Sequence, residues 1–193
     1  MSDAATLLTP ETSGLLVIDM QARLLPALPD AAALLDSVGL LVRVARLVGV
    51  PTAVTEHCAD RIGRTADTLL AELGHAVFVD KHHFAATRAP GFAAVMQAWA
   101  QRTTVVAGAE AHVCVGQTAL ALRAAGHRVA VAVDAIGARH PEDRAVALAR
   151  MQAAGVTPVT VEMLATEWLA DADDPRFREM LGWIKYRHGR RPI

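Results

Sequence analysis

The sequence predicts an α/β protein, a Rossmann-like three-layer sandwich with a mostly parallel six-stranded sheet and helices on both faces. Three observations predict it. Short apolar runs of strand length alternate with longer segments whose apolar residues recur at helical spacing. The short runs are continuous rather than alternating, as in strands buried on both faces. Strand and helix follow one another along most of the chain, which calls for a parallel sheet with right-handed crossovers.

GLLVIDM (14–20) is the first strand, and AAALLDSVGLLVRVARLVG (31–49) is a helix that ends on Gly49, a residue suited to a helix C-terminus. VPTAVTE (50–56) is the second strand, TADTLLAELG (65–74) a short helix and HAVFVDK (75–81) the third strand. GFAAVMQAWAQ (91–101) is a helix and TTVVAG (103–108) the fourth strand. VCVGQTALALRAAG (113–126) is a helix and HRVAVAVDA (127–135) the fifth strand. PEDRAVALARMQAAG (141–155) opens on Pro141 and two acids, which suit a first helical turn. VTPVTVE (156–162) is a sixth strand that Pro158 confines to an edge. EMLATEWLA and FREMLGWIKY close the chain as helices.

The 193 residues show no internal repeat, low-complexity tract or linker, so a single domain over 1–193 is expected, with an N-terminal extension (1–12) and a C-terminal helix and tail (172–193). A net charge of -1 gives no global signal for nucleic acid, and the basic tail YRHGRRPI reads as a solvated end. No apolar run reaches the ~18–20 residues of a membrane span, and the N-terminus lacks a secretion signal. Two cysteines are no disulfide framework, so a cytoplasmic setting is expected. No G-x-G-x-x-G follows the first strand and no G-x-x-x-x-G-K-[ST] occurs, which argues against nucleotide binding. A homo-oligomer is expected. The late aromatic residues Trp168, Phe177 and Trp183 either form its interface or cap the sheet.

Ligands of open parallel sheets bind beyond the carboxyl ends of the strands. Asp19 ends the first strand, Lys81 the third, and Cys114 follows the fourth, so an acid, a cation and a soft nucleophile share one edge. Each has a structural alternative: a turn aspartate, a solvated lysine, a small buried hydrophobe. At a helix start, unpaired N–H groups favour a thiolate, and the preceding GAEAHV loop can aim N–H groups at an oxyanion. A difficulty accompanies the expected strand order 3-2-1-4-5-6. Two strand spacings of ~4.8 Å separate the third strand from the first, while a lysine side chain spans ~6 Å, so either the loop after Lys81 curls inward or the order is different.

The segments LLVIDMQ, DKHHFAA and GAEAHVCVGQTALALRAAGHRVAVAVDAIGAR resemble those of the isochorismatase-like cysteine hydrolases, from about Gly14 to Glu167. The Cys block is similar to that of the isochorismatase-domain proteins of unassigned substrate. The resemblance implies an Asp–Lys–Cys triad: Asp19 as general base, Lys81 bridging, and Cys114 attacking a carbonyl to form an acyl-enzyme. It also implies a non-proline cis peptide at Ala109–Glu110, with the N–H groups of Glu110 and Cys114 as oxyanion donors.

Departures from the family pattern shape the rest of the reading. The Asp-x-His metal motif of nicotinamidases is missing after the second strand, where TEHCAD stands, so neither metal nor cofactor is expected despite His57, His82 and His83. His57 stands where close relatives usually carry Gln, and FAA replaces FSA after the lysine. Retention of Cys114 favours amide-type acyl chemistry over vinyl-ether hydrolysis. Gln21, Leu24, His57, His83, Phe84 and His112 are the expected pocket residues around a small-molecule substrate. The competing reading is a catalytically silent binding or scaffold protein that keeps the fold.

Overall fold

The computed structural model describes residues 7–100 and 102–190. Six strands form one parallel sheet in the order β3-β2-β1-β4-β5-β6. They are β1 (Ser13–Ile18), β2 (Thr52–His57), β3 (Val77–Lys81), β4 (Thr103–Ala109), β5 (Val129–Gly137) and β6 (Thr157–Val159). The helices are α1 (Ala31–Val48), α2 (Ala59–Ile62), α3 (Asp67–Leu73), α4 (Phe92–Ala98), α5 (Gly116–Ala124), α6 (Pro141–Ala153), α7 (Val161–Leu169) and α8 (Phe177–Arg190). The expected order and each expected strand are present. The short α2 and a π-helical turn over Ala111–Val115 were not anticipated.

The continuous apolar strands are explained by two cores, one on each face of the sheet. Leu15 and Val17 of β1 face a core built with α1, α3, α7 and α8, whereas Leu16 and Ile18 face one built with α4, α5 and α6. Side chains of a strand alternate between faces, so β1 can be apolar throughout only because both faces are covered. Each such fully buried side chain contributes roughly 1.5–3 kcal/mol. Local signals set the helix ends: Gly49 takes the left-handed conformation (φ 79°) after α1, and Thr160 caps α7 by accepting from Met163 N–H (3.2 Å). The edge strand β6 is three residues long and holds Pro158.

One glycine of β4 fixes how closely the two central strands approach. Gly108 has φ 114°, and a Cβ there would lie 2.1 Å from the carbonyl oxygen of Ile18 in β1. Backbone cannot yield as a flexible side chain does, so Gly108→Ala is expected to cost more than ~4 kcal/mol or prevent folding. Urea denaturation of the purified variant checks this, and a loss below 1 kcal/mol would contradict it.

The late aromatic residues turn inward. Trp168 is buried and its indole N–H donates to Ser13 Oγ (3.0 Å), while Phe177 and Trp183 pack against the α1-side core. They cap the sheet. The reading of the basic tail as a solvated end also needs correction: Arg187 is buried, and its Nη2 donates to Ser37 Oγ (2.8 Å) and Asp134 Oδ2 (2.7 Å). This ion pair fastens α8 to β5 and α1. Tail residues 191–193, and 1–6 of the N-terminal extension, lie outside the described residues. No helix among the described residues is long and apolar enough to cross a membrane.

Candidate active site

The carboxyl ends of β1, β3 and β4 bring Asp19, Lys81 and Cys114 together. Asp19 follows β1 with φ 50°, a turn of the chain that aspartate tolerates better than most residues. Its Oδ1 accepts from Thr55 Oγ1 of β2 (2.7 Å) and its Oδ2 from Lys81 Nζ (2.6 Å). Lys81 Nζ also lies 3.4 Å from Cys114 Sγ. Asp19, Lys81 and Cys114 are 0%, 2% and 6% exposed. The difficulty of reach resolves with the expected strand order intact. The lysine crosses the end of β2, and the aspartate side chain, steadied by Thr55, covers the remaining gap from the other side.

Cys114 does not sit in an ordinary helical first turn. The Ala111–Val115 turn is π-helical, with Val113 N–H (3.0 Å) and Val115 N–H (3.2 Å) both donating to Glu110 O. Such turns recur at functional sites. The Ala109–Glu110 peptide bond is cis. Arg139 Nε donates to the largely buried carboxylate of Glu110 (2.8 Å), tying the loop after β5 to the loop before the thiol.

The surroundings of the Cys114 thiol oppose its ionisation. Burial, and then the negative charge and hydrogen bonding of Asp19, push its pKa up to about 12, against the opposing pull of Lys81. Burial and the adjacent carboxylate thus work against the thiolate expected at a helix start.

Around these three side chains, His57 ends β2 and stacks on Phe84 (ring centroids 5.3 Å apart, planes at 28°). Burial first, then the Lys81 charge, hold its pKa below the ordinary imidazole value. Cys58 Sγ lies 3.5 Å from both His57 Nε2 and His82 Nδ1. Among the described residues no group of three or more His, Cys, Asp or Glu side chains is disposed to hold a metal ion. His83 and Phe84 are exposed at the rim. The loop carrying them is anchored where Ala86 N–H donates to Thr118 Oγ1 of α5 (3.0 Å).

Three other expected pocket residues are placed differently. Gln21 is fully buried, and its amide is used on backbone: Nε2 donates to His57 O and Gly63 O, and Oε1 accepts from His57 N–H. It braces the loop rather than facing a ligand. Leu24 packs against the α1-side core. His112 turns toward α6, with Nε2 3.6 Å from Asp143 Oδ2.

Sequence reasoning missed Thr55, Thr65 and Arg139. Glu56, buried beneath the site, accepts from Thr65 N–H (2.7 Å), Thr65 Oγ1 (2.8 Å) and Arg64 (2.5 Å). Burial works against its charge, but these donors outweigh it and hold its pKa below the usual carboxylate range. A polar Thr-Glu pair ending an otherwise apolar strand was the available signal.

The isochorismatase domain model matches residues 13–163. The chain belongs to the isochorismatase domain family. Isochorismatase domain-containing protein 1 of Salmo salar is 32% identical over 178 residues, 92% of this chain and 62% of that protein. The chain thus spans under two thirds of the length of that relative. Isochorismatase domain-containing protein 2 of Rattus norvegicus is 33% identical over 91% of this chain and 82% of its own. Among solved structures, YcaC from Pseudomonas aeruginosa superposes with a TM-score of 0.90 at 26% identity, covering 97% of this chain and 96% of its own. MAR1 ribonuclease from Caenorhabditis elegans does so with a TM-score of 0.86 at 29% identity, covering 93% of each chain. Membership of this family supports a hydrolase.

Proposed function

We propose that this isochorismatase-domain chain is a cysteine hydrolase of a small amide or related carbonyl compound. The observation that carries the reading is the buried ammonium of Lys81, held 2.6 Å from Asp19 and 3.4 Å from Cys114. Burying two charges costs several kcal/mol per ion before their mutual attraction is counted. A scaffold has no need to set such a pair against a thiol, whereas a nucleophile with a pKa near 12 needs a base in contact with it.

The chemistry follows from these positions. Asp19 accepts the Cys114 proton as sulfur bonds to the substrate carbonyl carbon. Lys81 offsets the negative charge as it passes between the two. The N–H groups of Glu110 and Cys114 receive the oxyanion of the tetrahedral intermediate. Its collapse breaks the C–N bond. The amine leaves with the proton held by Asp19, and a thioester remains on Cys114. Water, deprotonated by Asp19, then adds to the thioester, and collapse releases the acid and returns the proton to sulfur. The neutral, half-buried His57 and the Phe84 ring stacked on it form the wall nearest this chemistry. Pseudomonas aeruginosa YcaC, similar in fold and 26% identical, was solved with covalent acrylamide, an amide-bearing electrophile.

A panel of small amides and carbamoyl compounds, with an RNA oligonucleotide included because one relative is named a ribonuclease, tests the reading. The expected result is release of amine and acid from at least one amide, with an acid-quenched acyl adduct on the Cys114 peptide by mass spectrometry. Turnover of RNA alone, or amide turnover with no adduct on that peptide, would overturn it.

A further inference from the structure

We propose that Arg139 is a positioning residue: acting through the carboxylate of Glu110, it holds the Glu110 N–H on the oxyanion that forms when Cys114 adds to a carbonyl carbon. This rests on the cysteine-hydrolase reading, in which that N–H is an oxyanion donor. Glu110 follows β4, a strand buried along its whole length, and its side chain is only 8% exposed. Its carbonyl oxygen accepts from Val113 N–H (3.0 Å) and Val115 N–H (3.2 Å), and its Oε2 accepts from Arg139 Nε (2.8 Å). The N–H differs: among the described residues it donates to no acceptor. The register of the sheet explains which residue supplies the clamp. Ala109 of β4 pairs with Gly137 of β5. Glu110 lies one residue beyond that pair and Arg139 two, so the loop after β5 brings a guanidinium alongside the loop before the thiol.

The clamp is a poor device for stability alone. A buried ion pair gains little over apolar side chains of similar volume, whereas removing one partner of it is strongly destabilising. It is a good device for direction. An oxyanion donor acts only from ~2.7–3.1 Å of the position the oxygen will take, and losing one costs about 10²–10³ in kcat. Glu110 is fixed by the pairing of Ala109, by the two N–H groups on its carbonyl and by Arg139 on its carboxylate. Released from Arg139, that carboxylate turns toward water and carries its peptide plane with it.

Two reactions of the same thiol on the full chain test this. With acetaldehyde or benzaldehyde, sulfur bonds to the carbonyl carbon, the C=O π pair becomes the oxyanion and the thiol proton passes to Asp19. With iodoacetamide, sulfur bonds to a CH₂ carbon, iodide leaves and no oxyanion forms. Aldehyde affinity is read as protection of Cys114 against iodoacetamide. The wild type is expected to be protected. Arg139→Met is expected to need about tenfold more aldehyde, or beyond, while its alkylation rate without aldehyde stays within about threefold of wild type. Should the lone carboxylate unfold R139M, adding Glu110→Gln removes both charges, and the folded double variant is expected to show the same weakened protection. A pair with only a structural role would regain wild-type protection there. A wild type that neither aldehyde protects, unchanged protection in a folded variant, or alkylation falling in parallel with protection would each overturn the proposal. No turnover on the amide panel, with protection intact and dependent on Arg139, would instead sink the amide-hydrolase reading and leave this role standing.

Discussion

Cys114→Ala is expected to abolish amide hydrolysis, a loss of about 10³-fold or more in kcat/KM, while the protein stays folded. The two halves of this expectation come from different parts of the structure. Activity depends on sulfur because the thiol lies beside Lys81 Nζ, whereas the Thr55 hydroxyl that also touches Asp19 is buried and donates its proton to Oδ1. That pair survives the substitution, since its 2.6 Å contact involves no atom of the cysteine. The thiol is a small buried group, and trimming it leaves a void worth ~1 kcal/mol. Cys114→Ser is expected to lose most activity as well, because a hydroxyl is harder to deprotonate than even a thiol raised to about 12. Steady-state kinetics on the amide found by screening, together with thermal melts, check both halves. Full activity in a folded alanine variant would end the cysteine-hydrolase reading.

The strands could be read from the sequence because buried parallel strands leave a strong signature: LLVI, VVAG and VAVAV are apolar on both faces, although that signature does not fix their order. The positions of Asp19, Lys81 and Cys114 at one edge followed from strand boundaries alone. What they do to each other did not. Contact between Lys81 and Asp19 depends on two side chains extending toward each other across β2, with Thr55 beneath, which strand spacing does not encode. The electrostatics around Cys114 were hidden for a related reason. A helix start was visible, but the balance of burial, Asp19 and Lys81 is a property of three-dimensional distances. Gln21 belongs to a recognisable DMQ motif, yet its bracing role rests on the Gly63 loop folding back over it, 42 residues along the chain. Arg187 had the composition of a tail and the position of a core anchor. Only its meeting with Asp134 distinguishes the two.

Asp19→Asn is expected to separate thiol acidity from turnover. In the wild type, Asp19 raises the thiol pKa by its charge and by hydrogen bonding, so below pH 12 the neutral thiol dominates. Alkylation of Cys114 by iodoacetamide should then rise about tenfold per pH unit from pH 7 to 10 without a plateau, as the thiolate fraction does for a group titrating above that window. Asparagine can keep the local hydrogen bonds: its oxygen accepts from Lys81, and its amide donates to a Thr55 hydroxyl that rotates to receive it. The negative charge is gone, however, and Lys81 remains to favour the thiolate. The thiol pKa falls, and alkylation at pH 7–8 becomes faster than in the wild type. Amide turnover moves the opposite way, dropping by roughly 10²–10⁴, because nothing remains to take the thiol proton, hand one to the departing amine or activate the water. A site that depended only on a preformed thiolate would gain turnover along with alkylation. Parallel movement of the two rates would therefore remove Asp19 from its role as base, whereas opposite movement is what a neutral thiol beside an obligatory carboxylate requires.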